Sequence, residues 1–83
     1  MKLSAILESL LFISGEPVKI KRLAKAAGAS EAETREALRE LRDSHEERRG
    51  LRLLIKDGEA ELVTHPENAG VVTEYQKSSL DED

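Results

Sequence analysis

The sequence predicts a small α+β domain, mostly α, in which three helices are followed by a β-hairpin and a short closing helix. Three observations carry this. Apolar residues recur at helical spacing in three separate segments before Gly50. After Gly50 the period drops from about 3.6 to about 2, on either side of an Asp57-Gly58 turn. The chain has 83 residues, which allows one small domain at roughly 100–200 residues per domain.

The first helix is expected over residues 2–14. Leu3, Ile6, Leu7, Leu10, Leu11 and Ile13 fall in one broad arc at about 100° per residue. Phe12 and Ala5 lie on the opposite side, so this helix is apolar on two faces and the second face needs a cover. Gly15-Glu16-Pro17 ends it, since Pro17 lacks an N–H and pushes its predecessor out of the α region. A second helix is expected over about 19–27, with Ile20, Leu23, Ala24 and Ala27 inward and Gly28 as its left-handed cap.

Ser30 and Glu33 form a capping box that opens the third helix. It is read to about Arg48 and buries Thr34, Ala37, Leu38 and Leu41. Pairs Glu31–Arg35, Arg39–Asp43 and Arg42–Glu46 lace its exposed side at i, i+4, each worth a few tenths of a kcal/mol.

Folding the hairpin at Asp57-Gly58 sets Lys56 against Glu59, Ile55 against Ala60, Leu53 against Leu62 and Leu51 against Thr64. One face, from Leu51 to Thr64, can pack on the helices. The other carries Arg52, Lys56, Glu59 and Glu61 together with Leu54 and Val63. Pro66-Glu67 suits the start of a short final helix with Val71, Val72 and Tyr75 on its apolar side. Residues 1–75 are read as the folded domain and 76–83 as a flexible acidic tail.

Composition limits what such a domain can do. Hydrophobic residues make up 39% of the chain, charged residues 36%, and the aromatics are one Phe and one Tyr. A single core below about 80 residues seldom yields more than ~3–5 kcal/mol, and few aromatics put this one at the weak end. That points to a partner, for which a second copy is the simplest. There is no cysteine, which excludes a disulfide framework or thiolate metal site and fits a reducing cytoplasm. The longest apolar run, Leu10-Leu11-Phe12-Ile13, is too short to cross a bilayer, and residues 1–14 do not read as a signal peptide.

The order helix, helix, helix, hairpin is that of a winged helix, with Gly28-Ala29-Ser30 as the turn of its helix-turn-helix. In a DNA reader the third helix would enter the major groove with its first residues on base edges. Here those residues are Glu31, Glu33 and Glu36, which phosphates repel. The formal net charge of −4 likewise disfavours binding driven by counterion release. Lys19, Lys21, Arg22 and Lys25 are the remaining argument for phosphate contact, and they support a second reading as a winged-helix transcriptional regulator. A third is a docking domain that is monomeric alone and completes its fold on a partner helix. His45 and His65 stand alone, no glycines form a phosphate loop, and Ser78-Ser79 has no base nearby in sequence. No cofactor, metal or catalytic residue is expected.

The run from Ile6 to Val18, ILESLLFISGEPV, resembles the opening of segregation and condensation protein B, with Ser9 in place of the family's Ala in E-A-L-L-F-x-S-G-E-P-V. Leu23-Ala24, Gly50-Leu51-Arg52-Leu53 and the run from Leu62 to Glu67 also fit, so the resemblance reaches about Tyr75. It implies a scaffold without catalysis, acting in bacterial chromosome condensation and segregation during cell division. It implies two winged-helix domains, dimerisation through the first, and binding to the kleisin, segregation and condensation protein A, which bridges the structural-maintenance-of-chromosomes ATPase. The second domain would begin where this chain stops. Ala60 stands where the family usually has an aromatic, and Glu59 where it has a second Gly. Ala5, Ser9 and Phe12 from the first helix, with Leu54 and Val63 from the outer hairpin face, are the candidate dimer contacts.

Overall fold

The computed structural model describes residues 1–44 and 50–81. Helix α1 runs from Leu3 to Ser14. It stops at Gly15, whose φ of 64° is left-handed and whose N–H reaches the Leu11 carbonyl at 3.4 Å. Helix α2 (Ile20–Ala27) ends the same way on Gly28, φ 69°. There the Gly28 and Ala29 N–H groups close back on Lys25 and Ala24 at 3.3 and 3.0 Å, a Schellman arrangement. Helix α3 (Glu31–Ser44) opens on the expected capping box. The Glu33 N–H donates to Ser30 Oγ at 3.0 Å and the Ser30 N–H donates to Glu33 Oε1 at 2.9 Å. The expected extension of this helix toward Arg48 lies outside the described residues.

One element escaped the sequence reading. Val18–Lys19 is a two-residue strand, β1, where the second helix was expected to be starting. Lys19 is still extended, with φ −63° and ψ 135°, and α2 begins only at Ile20. Val18 then pairs with Ala60 and Lys19 with Glu59, which makes a three-stranded antiparallel sheet of order β1-β3-β2. Strands β2 (Leu51–Lys56) and β3 (Glu59–Thr64) pair in the register read from the sequence, from Lys56 opposite Glu59 to Leu51 opposite Thr64. The turn is left-handed at both central residues, with φ 53° at Asp57 and 75° at Gly58, as a type I′ hairpin turn requires.

A short 3₁₀ turn, Pro66–Asn68, leads into α4 (Ala69–Asp81). Here the expectation of a tail from residue 76 gives way: the helix runs past Tyr75 to Asp81. Its expected apolar side is not buried either, for Val71 and Tyr75 are exposed and only Val72 is half-buried.

The core lies between α1, α2, α3 and the inner face of the sheet. Its largest fully buried side chains are Leu7, Leu11, Ile20, Leu23, Leu38 and Leu53. All are aliphatic, and neither aromatic contributes. Thr34 is the one buried polar side chain among the described residues, and its Oγ1 donates to the Ser30 carbonyl at 2.8 Å. Ala60, at 1% exposure, sits in the inner row between Val18 and Ile55, so a small side chain there fits a crowded position.

Candidate protein-interaction surfaces

Helix α1 has two faces of different fate. Leu7 and Leu11 are buried, and Leu3 and Leu10 pack against the core beside them. On the opposite side Phe12 is 72% exposed and Ile13 76%. Ser9 is exposed between them, Ala5 is half-buried, and Ile6 stands at 36%. The arc expected to be buried is therefore narrower than six residues. Ile6 and Ile13 lie at its far edge, and α2, α3 and the sheet cover only the side centred on Leu7 and Leu11. They join Ala5, Ser9 and Phe12 on the open face. The helical angles carried this signal, because Ile6 and Ile13 sit about 40–60° from Ser9 and further from Leu7. What the sequence could not show was how wide a stripe the core would cover.

Lys2, at the N-cap of α1, is ion-paired with Glu40 on α3 and fixes the start of the helix against its neighbour. Ser9 Oγ donates to the Ala5 carbonyl at 3.3 Å, which keeps this hydroxyl against its own helix.

The outer face of the sheet holds the other two candidates. Leu54 is 48% exposed and Val63 is half-buried. Each faces a charged residue across the ladder, Leu54 opposite Glu61 and Val63 opposite Arg52. Lys19, Glu59 and Lys56 form one cross-strand row on the same face, with the acid between two cations. Leu54 and Val63 are thus two apolar islands in a mixed-charge surface, whereas Ala5, Ile6, Ser9, Phe12 and Ile13 form one continuous stripe.

The cations read as possible phosphate contacts are all exposed and lie on two elements. Lys19 lies on β1, on the outer sheet face, while Lys21, Arg22 and Lys25 are exposed on α2. Lys19 and Arg22 border an open groove between the end of α1 and α2, and Glu16 and Glu59 border it too. The start of α3 is exposed and acidic. Glu33 is held in the capping box and Glu31 lies 3.8 Å from Arg35. Further along, Arg39 turns to Glu36 at 2.9 Å rather than to Asp43, and Asp43 lies 3.5 Å from Arg42. The expected Arg42–Glu46 pair falls outside the described residues. So does His45. His65 accepts the Glu67 N–H on Nδ1 at 3.2 Å and so caps the 3₁₀ turn, a role that its position before Pro66-Glu67 permits. Among the described residues no group of three or more His, Asp or Glu is placed to hold a metal ion, and no helix is long and apolar enough to cross a membrane.

A helix-turn-helix with a hairpin wing, a carboxylate-fronted third helix and an open apolar stripe on the first defines a winged-helix domain with an exposed apolar face on α1. The chain belongs to the segregation and condensation complex subunit ScpB family, whose model matches residues 5–82. It is 38% identical over 80 residues to segregation and condensation protein B of Clostridium botulinum strain Kyoto, covering 95% of this chain and 42% of that protein. The chain thus spans less than half the length of the curated relatives it matches. Among solved structures, it resembles a dimer of the ScpB N-terminal domain complexed with a ScpA peptide at 30% identity. The TM-score is 0.78, and the match covers 86% of this chain and 84% of that one. The fold also matches ScpB from Mycobacterium tuberculosis, with TM-score 0.88 at 22% identity over 98% of this chain and 51% of that one.

Proposed function

We propose that this chain is a non-enzymatic, homodimeric scaffold domain of the bacterial condensin complex. It binds the kleisin, segregation and condensation protein A, and through it the structural-maintenance-of-chromosomes ATPase, in the cytoplasm at the nucleoid. The observation that carries the reading is the apolar stripe of α1, where three large aliphatic or aromatic side chains face water in a domain with a thin aliphatic core. Family membership supports the same reading, as does the likeness to a dimeric domain crystallised with a ScpA peptide. The dimer contacts are Ala5, Ser9 and Phe12 from α1, joined by Ile6 and Ile13, with Leu54 and Val63 as secondary contacts on the wing.

Equilibrium sedimentation tests the self-association. The 83-residue chain is expected to sediment as a dimer at high micromolar concentration. Phe12→Glu should give a monomer with an unchanged far-ultraviolet circular dichroism spectrum, since Phe12 is not part of the core. A strictly monomeric wild-type chain would overturn the proposal. Titration with a peptide from the kleisin tests the second half, and saturable binding by the dimer is the expected result.

A further inference from the structure

The sheet ends on an open strand. In the order β1-β3-β2, strand β2 has β3 on one side and, among the described residues, no strand on the other. The two-residue turn makes Lys56 and Glu59 a hydrogen-bonded pair, and the same alternation returns at Gly50, whose carbonyl accepts the His65 N–H at 2.8 Å. Arg52, Leu54 and Lys56 therefore direct their backbone groups to β3, and Leu51, Leu53 and Ile55 direct theirs to the open edge. We propose that this edge is a docking site for an extended acidic segment of another protein, which adds as a strand beside β2. The site needs neither the second copy nor the kleisin.

Two hollows lie along this edge, between β2 and α3. Among the described residues Arg35, Arg39, Arg42 and Arg52 border them, and no carboxylate does. That is a local excess of cations in a chain of net charge −4. Glu31, Glu36 and Asp43 partner the three arginines of α3 along the helix, but these are exposed pairs that a ligand carboxylate can replace at little cost. Below the arginines the lining is apolar, with Ile20, Leu38 and Ile55. Alternate side chains of an added strand fall on opposite faces of the sheet. Those on the inner face meet Leu38 and Ile55, and those on the outer face meet Arg52 and Lys56. An alternation of apolar and acidic residues satisfies both. A second copy of β2 does not, since it brings Arg52 and Lys56 and no acid. Nucleic acid fits less well, because phosphates would take the arginines and leave the edge N–H and C=O groups and the apolar lining without partners.

The test titrates the full 83-residue chain with a synthetic peptide that alternates valine and glutamate, and with its valine–lysine counterpart. The glutamate peptide should bind saturably and the lysine peptide should not. In the complex, the amide hydrogens of Leu51 and Ile55, both half-buried on the open edge, should exchange at least about tenfold more slowly. Those of Arg52, Leu54 and Lys56, already in the ladder, should change little. Arg39→Gln combined with Arg42→Gln removes two exposed charges and should weaken the glutamate peptide at least about tenfold without moving the melting temperature. A glutamate peptide N-methylated on the amides that face β2 should fail on the wild-type chain, which tests the backbone contact without altering the protein. No binding of the glutamate peptide, equal binding of the lysine peptide, or binding that leaves exchange at Leu51 and Ile55 unchanged overturns the proposal. So does duplex DNA that slows those two amides where the peptide does not. None of these results bears on the dimer, which sedimentation reads separately.

Discussion

Glu33 shows how much one side chain can reveal before the fold is known. Its carboxylate accepts the Ser30 N–H at 2.9 Å while its own N–H binds Ser30 Oγ. The backbone hydrogen bond from Ser30, with the Ser30 hydroxyl next, holds its carboxyl below the ordinary carboxylate value. A depressed pKa in the folded state means stabilisation that is present above the ordinary carboxylate pKa and lost as pH falls through the depressed one. Glu33→Gln keeps an acceptor in the capping box but removes the charge. Urea denaturation should therefore find this variant less stable than wild type at pH 7 and equal to it at about pH 2. Ser30→Ala, which deletes the cap oxygen itself, should cost about 1 kcal/mol at pH 7. Both partners were legible at i and i+3 in the sequence because a capping box is a local, backbone-directed motif. His65 was not, since its capping role depends on where the chain turns after β3.

Among the elements, the wing was read in full and β1 was missed, for reasons of length. Six alternating positions on each side of Asp57-Gly58 leave one register that puts Leu53, Ala60 and Leu62 on the same face. A two-residue strand has no alternation to detect, and Val18–Lys19 becomes one only because Ala60 and Glu59 are there to pair with. The hairpin turn offers a clean test. A Cβ on Gly58 would meet no neighbour within 4 Å, so only its φ of 75° opposes a larger residue. Gly58→Ala should cost about 1 kcal/mol in thermal or urea unfolding without altering the strand register. A much larger loss would mean that the turn packs on something else. The final helix differs in kind. Its Val71 and Tyr75 are exposed, so α4 forms without an apolar stripe buried against the core, and it takes in residues 76–81, which the acidic end of the chain made look like a tail.

For the molecule as a whole, the thin core has a consequence for stability. A fold completed by a second copy is stabilised by mass action, so its apparent melting temperature depends on chain concentration. Calorimetry over a hundredfold concentration range should show the wild-type midpoint rising with concentration and that of Phe12→Glu staying fixed. A fixed wild-type midpoint would indicate that the monomer carries all the stability. The sequence by itself determined the three helices, their caps, the hairpin and its register, because each is set by spacing and by backbone-directed residues within a few positions. It also placed carboxylates at the front of α3, which no packing could change. The width of the buried stripe on α1 was decided only by the tertiary structure. The neighbours of α1 cover the side of Leu7 and Leu11, and they leave Ile6 and Ile13 in water with Phe12. How far a core reaches around a helix depends on which elements pack against it, and that is a property of the assembled fold rather than of any local run of residues.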